Sequence, residues 1–100
     1  MEVVWTLGVD LDLQAIYERL DVHSPGAGDR FFEALLETTR RLQLFPQIGP
    51  VVYGGFIRRV LIFDQHYGLF YSIESRGIIL HALEDLRGAP ERIAQRLRRI

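Results

Sequence analysis

The main change in the spacing of this chain's apolar residues falls across Pro46-Gln47-Ile48-Gly49-Pro50. Before that loop they recur every three or four residues, the period of a helix; from Val51 onward the period is strand-like. A helix offers one apolar stripe and a half-buried strand one apolar face, and both need covering. The helices of the first half are therefore expected to pack on a sheet formed by the second. One hundred residues suit one domain with a modest core, and residues 1–100 are read as one.

Val3-Val4-Trp5 reads as a short opening strand. Thr6 is a suitable N-cap for a helix with Val9, Leu13, Ile16 and Leu20 on one stripe and Asp10 and Asp12 near its positive end. His23-Ser24-Pro25-Gly26 interrupts that helix, and Ser24 followed by Pro25 suits the cap and first position of the next. The second helix is expected to turn Ala27, Phe31, Ala34, Leu35, Thr38, Leu42 and Phe45 to one face, and Pro46 ends it. So short a connection predicts an antiparallel helical hairpin.

Strands are expected near 56–63, 67–74 and 78–84, with turns at Asp64-Gln65-His66 and Glu74-Ser75-Arg76-Gly77. Gly88-Ala89-Pro90 opens a last helix with Ile93, Leu97 and Ile100 inward and Arg92, Arg96 and Arg99 outward. The order β-α-α-β-β-β-α describes an α+β fold. An N-terminal strand and an αα-hairpin pack on a twisted antiparallel sheet of about four strands, followed by a short C-terminal helix.

The stretch Gly55 to Tyr71, GFIRRVLIFDQHYGLFY, sets two adjacent arginines inside an apolar strand. An unpaired buried charge costs several kcal/mol, and alternation sends neighbours to opposite faces. One of Arg58 and Arg59 is thus expected beneath whatever covers the sheet. The other is expected on an open face, where a guanidinium can meet phosphate or carboxylate. Residues 1–50 hold eight acids against four arginines, and residues 51–100 hold five acids against eight arginines. The second half is therefore the side expected to meet an anionic partner. Every basic side chain is arginine, which removes lysine as a proton donor.

The chain has no cysteine, which excludes disulfides and thiolate metal sites, and its three histidines are far apart. No cofactor or metal is expected. No apolar run approaches the roughly 20 residues that span a membrane, and MEVVWTLGVDLD lacks the basic start of a signal peptide. A cytoplasmic location is expected.

These residues, taken in order, resemble the RelE/ParE superfamily of toxins, and the ParE-like members more closely. The resemblance begins with Trp5-Thr6, Val9, Asp12-Leu13 and Ile16-Tyr17, and continues through Ser24-Pro25, Ala27, Phe31-Phe32 and Ala34-Leu35-Leu36. Leu42, Phe45-Pro46, Gly49, Arg58-Arg59, Tyr67, Phe70-Tyr71 and a closing Arg87-Gly88-Ala89-Pro90 complete it over almost the whole length. It implies the toxin of a bacterial type II toxin–antitoxin pair, of the kind that stabilises plasmids, neutralised by a small antitoxin. RelE-like members cut mRNA on the ribosome with a cluster of basic residues and a tyrosine or histidine, whereas ParE-like members poison DNA gyrase.

RNA cleavage by 2′-OH attack needs a proton acceptor, a proton donor and cations on the phosphoryl oxygens. The resemblance makes Arg58 a candidate phosphate clamp; as a structural residue it would instead pair with Glu84 or an antitoxin carboxylate. Arg59 is read as a solvated or partner-facing charge. Gly68 stands where RelE-like members often carry a further cation, and Glu84 where the pattern usually has histidine. Glu84 could serve as a base, or pair with Arg87 or Arg58. Arg87 keeps the family position, and its structural alternative is to anchor the sheet end to the last helix. Tyr71, Tyr67 and His81 are read first as packing or satisfied groups, with Tyr71 kept as a catalytic candidate. Arg58, Arg59, Arg87, Arg92, Arg96 and Arg99 are the candidates for contact with a target or antitoxin. With the ribonuclease set incomplete, the reading leans to a toxin that binds DNA gyrase. A ribosome-dependent mRNA interferase, or a toxin-fold binding module without toxicity, is the alternative.

Overall fold

A computed structural model describes residues 1–100. The elements are β1 (Val3–Trp5), α1 (Leu7–His23), α2 (Ala27–Leu44), β2 (Val51–Tyr53), β3 (Ile57–Ile62), β4 (Tyr67–Glu74), β5 (Gly77–Asp85) and α3 (Pro90–Leu97). They form the expected α+β arrangement around one five-stranded sheet of order β1-β5-β4-β3-β2. The sheet departs from the expectation twice. A fifth strand, β2, occupies one edge; at three residues it is too short to show a period of its own. The opposite edge is parallel, because the helical hairpin carries the chain across the sheet before β5 returns beside β1 in the same direction.

The start of α1 follows from Thr6. Its Oγ1 accepts the Val9 amide at 3.3 Å and donates to the Leu80 carbonyl at 2.7 Å, so the cap also fastens the helix to β5. The opening of α2 differs from expectation. Ser24 closes α1, its amide donating to the Leu20 carbonyl at 2.9 Å, and Gly26 is the N-cap of α2 at φ 87°. Two helices joined this tightly need a left-handed residue between them, and glycine takes that conformation without strain. The Asp21 carboxylate replaces a side-chain cap by accepting the Gly28 amide at 2.8 Å.

The sheet is covered on both faces. On one, Val9 and Ile16 of α1 and Phe31, Leu35 and Leu42 of α2 pack on Ile62, Tyr67, Leu69, Tyr71, Ile78, Leu80 and Leu83. On the other, Ile93 and Leu97 of α3 cover Ile57, Phe70 and Ala82. Each such side chain removed from water stabilises the fold by about 1.5–3 kcal/mol. Two expected core residues lie outside. Phe45 is the C-cap of α2 at φ −134°, which swings it off the helix stripe, and it is 63% exposed. Ile100 lies past the end of α3 and is 38% exposed.

The loop Pro46–Pro50 is held against β3 and β4 by a compact set of polar contacts. The Tyr71 hydroxyl, buried in the sheet, donates to the Pro46 carbonyl at 2.7 Å and accepts the Gly49 amide at 3.0 Å. Arg58 donates to the Gly49 carbonyl at 2.8 Å and the Gln47 carbonyl at 3.3 Å. A Cβ at Gly49 would stand 2.6 Å from the Arg59 carbonyl oxygen, so only glycine allows this approach. Tyr71→Phe is expected to cost about 1–2 kcal/mol, since it strands two buried partners. Gly49→Ala should cost about 1–3 kcal/mol by forcing the loop off the strand. Urea unfolding followed by circular dichroism measures both, and unchanged midpoints would show that the loop is not held this way.

Candidate functional site

Strand alternation sends the two central arginines to opposite faces as expected, but both faces are covered and neither is the open face expected for one of them. Arg58 stands opposite Tyr71 and Arg59 opposite Phe70. Arg58 therefore lies on the face of the helical hairpin, where its guanidinium is committed to the loop carbonyls. It cannot pair with Glu84, which faces α3 on the other side of the sheet. Arg59 lies on the α3 face, and its stem crosses the strand over Gly68, where a Cβ would come within 3.1 Å of Arg59 Cδ. At Gly68 the missing side chain is what leaves room for Arg59.

Glu84 is the charged centre of the α3 face. Its side chain is 5% exposed and accepts from Arg92 at 2.9 Å and from Arg96 at 2.6 Å. Arg96 continues to Asp12, donating to Oδ1 at 2.9 Å, while Asp12 Oδ2 accepts the Leu83 amide at 2.8 Å. That amide lies beyond Leu80, the last residue of β5 with a partner in β1. One chain of contacts thus ties α1, β5 and α3 together. Burial works against the charge on Arg96, but Asp12 and Glu84 more than offset it and hold its pKa above the ordinary arginine value.

These pairings correct the expected ones. Glu84 meets Arg92 and Arg96, not Arg87 or Arg58. Arg92 and Arg96 do not simply face solvent, because they flank the buried Ile93–Leu97 stripe and reach inward along its side. Arg99 is exposed, as expected. Arg87 grips Asp85 through Nε and Nη2, both at 2.9 Å, and its guanidinium stands 5.8 Å over the Tyr67 ring. It therefore orders the end of β5 and does not join the sheet to α3. The hydrogen bond from Arg87 holds Asp85 below the usual carboxylate range.

Tyr71 and Tyr67 are packing residues, Tyr67 lying edge-on to Phe31 with centroids 5.0 Å apart. Burial pushes the Tyr71 hydroxyl up, away from easy ionisation. His81 sits where the pairing of β4 and β5 slips by a residue, and its Nε2 is 2.8 Å from Ser72 Oγ, which donates to Glu74 at 2.6 Å. Burial lowers the His81 pKa, Glu74 opposing and Arg76 adding to the effect.

Asp12 is the member of this network that reading along the chain misses. It resembles an ordinary acid near a helix start, but it lies past the first turn and reaches Arg96 from 84 positions away. Only the packing of α1 against β5 makes the pair, so no local pattern could reveal it.

Glu84→Gln is expected to cost about 1–3 kcal/mol by leaving two guanidinium groups short of a carboxylate. Arg99→Ala should stay within about 0.5 kcal/mol, and equal midpoints for the two variants in urea would overturn the assignment. His81 also sets a pH dependence. With its folded pKa depressed, the unfolded chain takes up the proton first. The contribution is complete above about pH 6.5 and is lost as pH falls below it. His81→Gln should flatten the decline of unfolding free energy from about pH 7 to 5, measured by urea titration at each pH.

The family model described as the ParE toxin of the type II toxin–antitoxin system, parDE, matches residues 3–84. No curated protein matches the chain. Among solved structures, the chromosomal ParDE toxin–antitoxin system from P. aeruginosa superposes with a TM-score of 0.76 at 18% identity, covering 86% of this chain and 96% of that one. At that identity the likeness concerns the fold. The family match runs from β1 almost to the end of β5 and includes Asp12, Arg58, Arg59, Gly68 and Glu84. The chain therefore belongs to the ParE toxin family of type II toxin–antitoxin systems.

Proposed function

We propose that this ParE-family toxin acts by binding, inhibiting DNA gyrase, and that a cognate antitoxin neutralises it. The observation that carries this reading is the engagement of the arginines at the sheet end. Arg87 is paired with Asp85, and Arg92 and Arg96 with Glu84 and Asp12. Arg58 is turned to the loop on the other face. Cutting RNA would call for several free cations beside a proton donor and acceptor. Here the Tyr71 hydroxyl already bridges Pro46 and Gly49, and His81 is held toward its neutral form beside Ser72.

Two features support a protein partner. Leu7 and Leu11 on α1 and Leu44, Phe45 and Ile48 around the following loop are exposed, the kind of apolar load that a wrapping antitoxin would cover. Arg99 at the end of α3 is free to add an electrostatic contact, and Arg59 is the remaining candidate cation on the α3 face.

Induced expression without antitoxin is expected to produce filamentous growth arrest with DNA damage, and the purified protein to inhibit gyrase supercoiling. Arg87→Ala should fold and retain that inhibition. Rapid translation arrest with cleaved mRNA and unaffected supercoiling would overturn the gyrase reading, and normal growth would overturn toxicity altogether.

A further inference from the structure

Arg59 differs from the arginines around it. It takes part in none of the chain's ion pairs. Its Nε is buried without a hydrogen-bond partner. A buried donor left unmatched is rare in folded proteins and calls for an explanation. Arg59 also lines a cleft of about 330 Å³ between α3 and the β2–β3 edge, whose walls include Val52, Tyr53, Phe70, Leu86, Ile93 and Leu97. Gly68 lets the Arg59 stem lie flat along this wall, and no acidic residue lines the cleft to neutralise it.

We infer that this cleft is a docking site for a segment of a protein partner that presents a carboxylate beside an apolar side chain. The apolar walls would take the side chain, and the carboxylate would meet the Arg59 guanidinium at its terminal nitrogens, which have no partner within the chain and, unlike Nε, are not buried. A nucleic-acid phosphate fits less well. Backbone recognition draws on several free cations along a groove, whereas Arg92 and Arg96 of α3 already hold carboxylates. The walls are mostly hydrophobic, which suits a peptide side chain better than a sugar–phosphate chain. The inference holds whichever cellular target the toxin has.

The test is an NMR titration of the ¹⁵N-labelled protein with the blocked tripeptide acetyl-Leu-Glu-Phe-amide and with its glutamine counterpart. The glutamate peptide should shift the Arg59 Nε–H resonance and the amides of Phe70 and Ile93, and should bind about tenfold more tightly than the glutamine peptide. Arg59→Met keeps an apolar stem in the wall and should bring the ratio between the peptides to about one. Ala94→Trp fills the cleft from α3 without touching the cation and should weaken both peptides about tenfold or more. Circular dichroism identifies a variant that fails to fold; if Arg59→Met does so, Ala94→Trp and the wild-type peptide ratio still decide. Equal binding of the two peptides, shifts confined to other surfaces, or a short oligothymidylate that displaces the glutamate peptide from the same resonances would each overturn the inference.

Discussion

The carboxylate of Glu84 is the point on which the arrangement of α3 depends. A buried acid needs compensation, because transfer from water costs several kcal/mol even after relaxation. Arg92 and Arg96 provide it, which places α3 over the sheet with Ile93 and Leu97 turned inward. Arg96 then extends the contact to Asp12, whose other oxygen takes up an amide of β5 left beyond the end of β1. A short amphipathic helix of eight residues would be marginal alone. It is fixed here by two apolar residues and one network of charges. Such a network favours one arrangement of the three elements, because an alternative packing would leave a buried charge without its partner.

The opposite face rests on hydrogen bonds to backbone groups and not on ion pairs. Tyr71, Gly49 and Arg58 close the loop between the helical and strand-forming halves onto β3. The result is a division of labour across one strand. Arg58 serves the fold from beneath the helical hairpin, and its neighbour Arg59 is left on the far side with a buried nitrogen unmatched.

Much of the fold was legible in the residues. The period change at Pro46–Pro50, Thr6 as a cap and the turn before Tyr67 located β1, both long helices and the three long strands within a residue or two. The misses have local causes. β2 is three residues long, Gly26 outcompeted Ser24 as the cap of α2 because the connection needed a left-handed residue, and Phe45 left its stripe when the helix ended. The site was less legible. Arg58 and Arg59 could be assigned to opposite faces by alternation, but which face carried the hairpin could not.

By itself the sequence determined the fold class, the family resemblance, and the placing of Arg58 and Arg59 on opposite faces. Those follow from local chemistry: the period of apolar residues, caps, turns and strand alternation act within a few positions. The tertiary structure alone decided that Glu84 meets Arg92 and Arg96, that Asp12 joins them, that Arg58 is occupied and that Arg59 lies over Gly68 beside an apolar cleft. Pairings of this kind join residues up to 84 positions apart. They arise only when hydrophobic packing has brought helices and sheet together, because the charges choose partners among neighbours that the core has already selected.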